Sequence, residues 1–365
     1  MHGEKWLTAA ANPSGWDGGN LLGLPPMQAD CWIVTDGARG NEKQCLALAH
    51  YLRSAGPLQA PAPRRFRIAL RQPWDALAPR LLGGVKHGLK PATTVEPDRW
   101  QKDLRALLQN PLPRVVLSCG RRAALASRML RARSRGRLCT VQILNPRVDP
   151  AAFSWVVCPH HDRLTGANVL RTEGALHEVD DAYLSTARED WPQFESLATP
   201  RVAVLIGASN GAYTIDQAYL NRLLAGAAKL AEAGSLLVTT SRRTPLELRR
   251  FAAAWLAEQS PERHFFFSDE PGERNPYPGL LAYADRIVVS SDSVNMVSEA
   301  LGTGCPVHSL QTETKNERFA RFAERLVSSG RLLSLDDTSQ PSYEPLRETA
   351  AVAERIGATL TDGPT

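Results

Sequence analysis

No stretch of about 18 consecutive uncharged, apolar residues occurs anywhere in the 365-residue sequence, which excludes an obvious membrane-spanning helix. The first 27 residues are rich in Gly and Pro and lack the basic-then-apolar order of a secretion signal, so a flexible tail is expected over residues 1–29. Cysteine is sparse. The six thiols, Cys31, Cys45, Cys119, Cys139, Cys158 and Cys305, are scattered, mostly inside apolar strand-like segments. That pattern reads as buried thiols in a reducing, cytoplasmic setting rather than a disulfide frame. Cys158-Pro159-His160-His161 has metal-ligand residue types, but no second ligand pair lies at a suitable spacing and no Asp-x-Asp motif stands out, so no metal is expected. Lysine is scarce as well: 36 of the 43 basic residues are arginine. The planar guanidinium fork suits bidentate recognition of phosphate or carboxylate, and acidic ligands are the expected partners. The basic segments lack interleaved aromatics and match no nucleic-acid module, so no nucleic-acid partner is expected.

What the sequence does have is a strand–turn–helix pattern that runs twice. In the first half, apolar strands are expected at 31–35, 114–118, 138–144 and 153–157. Helices are expected at 41–52 and 120–133. The Pro- and Gly-rich region 59–97 reads as irregular excursions near a cleft. After Asp190-Trp191-Pro192 the pattern restarts, with strands at 202–206, 236–240, 264–267, 287–289 and 307–310. Helices are expected at 214–233, 245–258 (with Pro245 as first helical residue) and 344–356. Alternation of this kind implies parallel sheets, and two sets imply two doubly wound, Rossmann-like α/β domains, over 30–190 and 200–340. A C-terminal helix within 341–365 is expected to pack back on the first domain. In such folds ligands bind outside the carboxyl ends of the strands, where every polar turn of this chain falls.

Four segments of the second half carry candidate chemistry. Gly207-Ala208-Ser209-Asn210-Gly211 follows a strand and can offer backbone N–H groups to phosphate, although it lacks the spacing of either standard Gly fingerprint. Ser241, Arg242 and Arg243 place a hydroxyl and two guanidiniums at the next strand end. Asp292 and Ser293 open a helix that carries Asn295 and Met296, and its positive dipole end is a natural seat for phosphate. Asn295 and Glu299, four apart, share a face, and a carboxylate there can accept both hydroxyls of a ribose. Asn275 to Gly279 reads as a stiff loop, with Tyr277, able to meet a flat base. The plainer alternatives are a capped βαβ unit with a solvated Glu, an exposed helix start, and a mere connector.

The segments VTDGARGNEKQCLALAHYL (34–52), LSCGRR (117–122), HDRLTGANVLRTEGALH (161–177), VLIGASNGAYTID (204–216), TTSRRTP and NPYPGLLAYADRIVVSSDSVNMVSEA together resemble the plant Elongated Mitochondria fission-factor family and its bacterial relatives. The resemblance runs from about Cys31 to Phe322. It implies a GT-B-like fold of two Rossmann-like domains facing across a cleft, the C-terminal one holding a nucleotide-sugar. A Glu near the position of Glu299 would bind ribose. It also implies a rival, non-catalytic role, since plant members recruit a dynamin-related GTPase at a membrane.

On that reading the first half takes the acceptor and supplies a base to its hydroxyl. Asp36, after the first strand, is the best-placed candidate; Glu42, His161 and Asp162 are rivals, and Asp36 is equally suited to shaping its turn beside Gly37. Arg39, Asn41, Arg121, Arg122 and Arg147 are the expected contacts of an anionic acceptor. Gly207, Ser209, Asn210, Ser241, Arg242, Arg243, Tyr277, Asp292, Ser293, Met296 and Glu299 are the expected nucleotide-sugar contacts. The sequence thus leads to a metal-independent glycosyltransferase without a separate cofactor, acting on an anionic or lipid-linked acceptor. Its arginines would give peripheral contact with the acidic inner face of a membrane.

Overall fold

The computed structural model describes residues 28–54, 56, 58, 62–67, 112–260, 262–267, 274–314 and 316–361. The expected tail, apart from Gln28 and Ala29 at the start of the first strand, and most of the 59–97 region lie outside them. Two six-stranded sheets, both wholly parallel, organise the chain. The first contains β1 (Gln28–Thr35), β2 (Arg64–Arg67), β3 (Pro113–Cys119), β4 (Cys139–Ile143), β5 (Trp155–Pro159) and β6 (Val169–Thr172), in the order β2-β1-β3-β4-β5-β6. The second contains β7 (Arg201–Ile206), β8 (Ser235–Thr240), β9 (His264–Phe267), β10 (Arg286–Val289), β11 (Val307–His308) and β12 (Leu332–Leu333), in the order β12-β11-β10-β7-β8-β9. In each sheet the strand order reverses once, beside β1 in the first and beside β7 in the second, and such switch points open a crevice at the strand carboxyl ends.

Among the described residues the α-helices are α1 (Arg39–Ser54), α2 (Arg121–Arg133), α3 (Asp181–Asp190), α4 (Gln217–Ala231), α5 (Leu246–Gln259), α6 (Tyr277–Tyr283), α7 (Val294–Leu301), α8 (Glu317–Ser328) and α9 (Glu348–Thr361). Both strand faces are apolar because both are covered. In the first half Ile33, Val115 and Leu117 pack under Leu48 and Leu52 of α1, while Trp32, Val34 and Val116 pack under Ala123, Ala126 and Leu130 of α2. In the second, Val202, Val204 and Val238 meet Leu220, Leu223 and Leu224 of α4. The opposite face, with Leu205 and Val289, meets Leu280, Leu281 and Val297.

Two helices exchange sides. Leu184 and Ala187 of α3 join the core of the second sheet. At the far end of the chain, Val352, Ala353, Ile356 and Leu360 of α9 join that of the first.

Several boundaries differ from expectation for local reasons. Asp216 caps α4 by accepting from Tyr219 N at 2.7 Å, so that helix opens at Gln217 rather than 214. Pro245 is the N-cap of α5, not its first helical residue. Tyr277, Pro278 and Gly279 are already helical, so the stiff loop ends before them. The final helix runs 348–361 instead of 344–356. Strand β11 stops at His308, whose Nδ1 lies 2.9 Å from the Ser334 carbonyl, although Ser309 N still donates to Leu333 O of β12 at 3.0 Å. β2, β6, β12, α3 and α8 had no counterpart in the pattern, and β2 pairs with β1 inside the 59–97 region that was expected to be irregular. Helices α3 and α8 start at side-chain caps, Asp180 accepting from Tyr183 N at 2.8 Å and Asn316 from Arg318 N at 3.2 Å.

Candidate functional site

A cleft of about 260 Å³ lies where the two switch points face each other. Asn41, Gln44, Leu144, Pro159, His161 and Ala175 line it from the first half. Asn210, Arg243 and the Asp292–Asn295 segment line it from the second, with Arg318 and Phe319 of α8 closing one side. Ser293 caps α7 through Oγ, which accepts from Met296 N at 3.3 Å, so the positive end of that helix opens on the cleft. Leu144, just past β4, sits at φ 67°, a left-handed conformation uncommon for a side-chain-bearing residue.

Asp292 organises the second-half wall. Its side chain is fully buried, accepting from Ser290 Oγ at 2.6 Å and from Ala208 N at 3.1 Å, with an Arg243 NH2 group 3.5 Å away. Burial pushes its carboxyl above the ordinary value, against the pull of these donors. Gly207 N donates to Ser290 Oγ at 2.8 Å, and a Cβ on Gly207 would lie 2.1 Å from an Asp292 oxygen, so only glycine fits there. Ser209 Oγ both donates to Ile215 O and accepts from Ile215 N, and Asn210 bonds the Asp292 carbonyl at 2.9 Å. The Gly207 turn therefore spends the Gly207 and Ala208 amides and the Ser209 hydroxyl on its own fold, and Asn210, Asp292 and Arg243 face the cleft instead. Ser241 likewise shares a 3.0 Å hydroxyl contact with Thr244, and Arg242 is exposed outside the lining.

Glu299 lies one turn deeper on α7, 8% exposed. Its carboxylate accepts from Tyr277 OH at 2.5 Å and from Lys43 Nζ of the first half at 3.2 Å. Lys43 also sits 5.1 Å over the Tyr277 ring. Burial, first, and then the Glu299 charge push the Tyr277 hydroxyl well up. Gln44 donates to Asn295 Oδ1 at 3.2 Å, and Gly40 lies so close that a Cβ would meet Asn295 Nδ2 at 2.2 Å. Met296 packs, half-buried, against the second core. The α7 face that carries Asn295 and Glu299 is thus joined to α1.

On the first-half wall, Asp36 ends β1 and accepts from Asn41 Nδ2 at 3.0 Å and Ala38 N at 3.1 Å; Asn41 in turn lines the cleft. Gly120, at φ 84°, lets this pair approach the β3 end. Glu42 instead accepts from Arg65 at 3.2 Å on the surface. His161 is 4% exposed, packs edge-to-face on Phe322, and is pulled down to about 4 by burial above all. Asp162 is paired with Arg318. Arg39, Arg121 and Arg147 are exposed at the ends of α1, α2 and β4, and neither they nor Arg122 line the cleft. Of the expected residues the cleft gathers Asn41, His161, Asn210, Arg243, Asp292 and Ser293.

The mitochondrial fission ELM1 family matches residues 39–360. The chain belongs to that family. The mitochondrial fission protein ELM1 of Arabidopsis thaliana is 33% identical over 275 residues, 67% of this chain, and the match spans 63% of the plant protein's own length. An uncharacterized protein of Rickettsia prowazekii is 22% identical over 371 residues, covering 89% of this chain and 97% of that one. Among solved structures, the UDP-GlcNAc 2-epimerase of Methanocaldococcus jannaschii superposes with a TM-score of 0.57 at 15% identity, covering 92% of this chain and all of the epimerase. With its two parallel sheets, this ELM1-family chain has a GT-B-like α/β fold, which it shares with that epimerase.

Residues outside the expected set complete the ELM1-family cleft. Gln44 lines it and pairs with Asn295, Lys43 pairs with Glu299 outside the lining, and Arg318 and Phe319 reach it from a helix that the sequence pattern left unassigned. The signal for Lys43 and Gln44 was the polar run Asn41-Glu42-Lys43-Gln44 near the start of α1, which fixes no partner. Among the described residues no group of three or more His, Cys, Asp or Glu is placed to hold a metal. Among them, too, no helix is long and apolar enough to cross a membrane.

Proposed function

We propose that this ELM1-family chain is a metal-independent glycosyltransferase of GT-B type. It would take a nucleotide-sugar on its second half and an anionic or lipid-linked acceptor on its first, at the inner face of a membrane. One observation carries the reading: the open N-terminus of α7 and two guanidiniums, Arg243 and Arg318, share one cavity with Asn41, which donates to Asp36 just behind the lining. Helix-end amides and guanidiniums stabilise a departing diphosphate without a metal, because they are fixed before the charge develops. Asp36, oriented by Asn41, serves as base toward the acceptor hydroxyl. His161, with its proton affinity lowered by burial, suits a neutral hydrogen-bonding role better than that of base. In this scheme residues 30–190 form the acceptor domain, 200–340 the donor domain, and 341–365 a returning helix. The ligand class agrees with that of the epimerase of similar fold, which by its name handles UDP-GlcNAc.

The test is a thermal-shift and calorimetric screen of nucleoside diphosphates and their sugars, since a ligand selective for the folded state raises its stability by mass action. A tenfold or greater loss of nucleoside binding is expected in Glu299→Ala with the fold intact. Asp36→Asn should keep donor affinity and lower turnover by about 10² to 10⁴. Absence of any nucleotide binding removes the enzyme reading. A second reading, a partner-recruiting adaptor on the same scaffold, draws on the pairing of Glu299 with both Tyr277 and Lys43, which uses the ribose-type carboxylate to join the halves. It forecasts partner binding insensitive to Asp36 and Glu299 changes and no transfer with any donor.

A further inference from the structure

Helix α8 presents Arg318, Arg321 and Arg325 at i, i+3 and i+7, a single helix face. All three reach into the first half. Arg318 pairs with the Asp162 carboxylate. Arg321 donates from Nε and a terminal NH2 to the His161 carbonyl at 3.1 and 3.0 Å. Arg325 grips both oxygens of Glu173, with Nε 3.0 Å from Oε2. The acceptors lie on the short turn at 160–162 and immediately past β6, on one edge of the first sheet. Arg325 holds the Glu173 carboxyl below its ordinary value, as a persistent ion pair requires. These contacts make α8 a clamp between the halves.

Arg318 has a second position. Its side chain is 39% exposed, whereas that of Asp162 is 1% exposed. The guanidinium lines the cleft together with Arg243, Ser293 and the start of α7. Arg243 repeats the arrangement, being 61% exposed above the fully buried Asp292. Each cleft guanidinium thus rests on a buried carboxylate and turns open donors toward the cavity. A guanidinium has five N–H donors in a fixed fork, and phosphate oxygens take two of them more strongly than a single carboxylate contact does.

We propose that Arg318 is a switch: an anion of the phosphate or diphosphate class entering the cleft draws its guanidinium off Asp162 and so loosens the α8 clamp on the first half. The proposal rests on the nucleotide-sugar reading only for the source of that anion. Arg321 and Arg325 stay attached, so the clamp slackens without letting the halves part. A ligand shifts such an equilibrium only through its differential affinity for the two states, and here the difference is the Arg318 contact itself.

The experiment uses the full chain, inorganic pyrophosphate as probe, calorimetry for affinity and hydrogen exchange for the clamp. In the wild type, pyrophosphate binds and amide protection falls over residues 160–173. In Arg318→Gln, pyrophosphate binds about tenfold or more weakly, which is about 1.4 kcal/mol, and 160–173 exchanges faster without ligand and no longer responds to it. Asp162→Asn releases the guanidinium from its resident partner and binds pyrophosphate severalfold more tightly. Unchanged protection at saturating pyrophosphate, wild-type affinity in Arg318→Gln, or no pyrophosphate binding overturns the switch. If either variant fails to fold, the wild-type exchange response alone decides. Nucleotide-sugar binding with no change over 160–173 sinks the switch and leaves the transferase reading standing. A pyrophosphate response without any nucleotide binding keeps the switch and removes the transferase reading.

Discussion

His161 shows how burial, more than any neighbouring charge, sets a residue's chemistry in this cleft. Its ring is packed against Phe322 and shielded from water, and burial, the largest influence, lowers its proton affinity to about 4 from 6.5. The same cause lowers His160, His177, His264 and His308. Each of these rings is therefore less protonated in the folded chain than in the unfolded one below its ordinary value, and for His161 that window runs from 6.5 down to about 4. The unfolded state binds the extra proton, so folding stability is complete above about pH 6.5 and falls as the pH drops toward 4. Glu173, held low by Arg325, acts in the same direction at lower pH. For His161 alone the expected loss between pH 6.5 and 5 is about 2 kcal/mol. Urea denaturation of the wild type and His161→Gln at pH 7.5 and pH 5 measures it: the variant should lose less stability on acidification. Equal losses would mean that the ring is hydrated in the native chain.

At the scale of elements, α9 is the clearest case of long-range packing. Ile356 is fully buried against the α1 layer, with Val352, Ala353 and Leu360 beside it, and Glu348 anchors the helix start by accepting from Glu173 N and Gly174 N. Ile356→Ala should cost about 2–5 kcal/mol in chemical denaturation, because the rigid first core cannot collapse onto the space left. A change below about 0.5 kcal/mol would mean that α9 is not seated there. Local pattern made most strands legible: Val202 to Ile206 and Leu236 to Thr240 at the centre of the second sheet and His264 to Phe267 at its edge are short apolar runs bounded by turn residues. The turns at their carboxyl ends were legible for the same reason, which is how Ser293, Asn210 and Arg243 could be named from sequence. Partners were not legible. Nothing local in Glu317–Ser328 says that its arginines meet Glu173 and His161, or that Lys43 finds Glu299, 256 residues away. The Gly207 turn misled in an instructive way, since its glycine makes room for the Asp292 carboxylate rather than holding amides open.

For the whole molecule, the exchange of α3 and α9 between cores decides how the halves depend on each other. A chain cut near Asp190 would leave the first half without Val352, Ile356 and Leu360, exposing the apolar face of α1 that they cover. Leu184 and Ala187 would at the same time be stranded from Leu280 and Leu281. Ties to residues beyond the cut add to this: Ala175 N donates to Ser298 Oγ at 2.9 Å, and Thr349 of the returning helix exchanges hydrogen bonds with His177. Burying one leucine or isoleucine side chain contributes about 1.5–3 kcal/mol, so losing three or four such contacts removes an amount comparable to the roughly 5–15 kcal/mol that holds an ordinary domain folded. A fragment of residues 28–190 should therefore fail to fold, and adding residues 341–361 on a flexible linker should restore cooperative unfolding. Calorimetry and amide dispersion in NMR spectra of the two fragments provide the comparison. A first-half fragment that melts cooperatively without α9 would show that the returning helix decorates a self-sufficient domain, and the halves would then be free to move as independent bodies around the cleft.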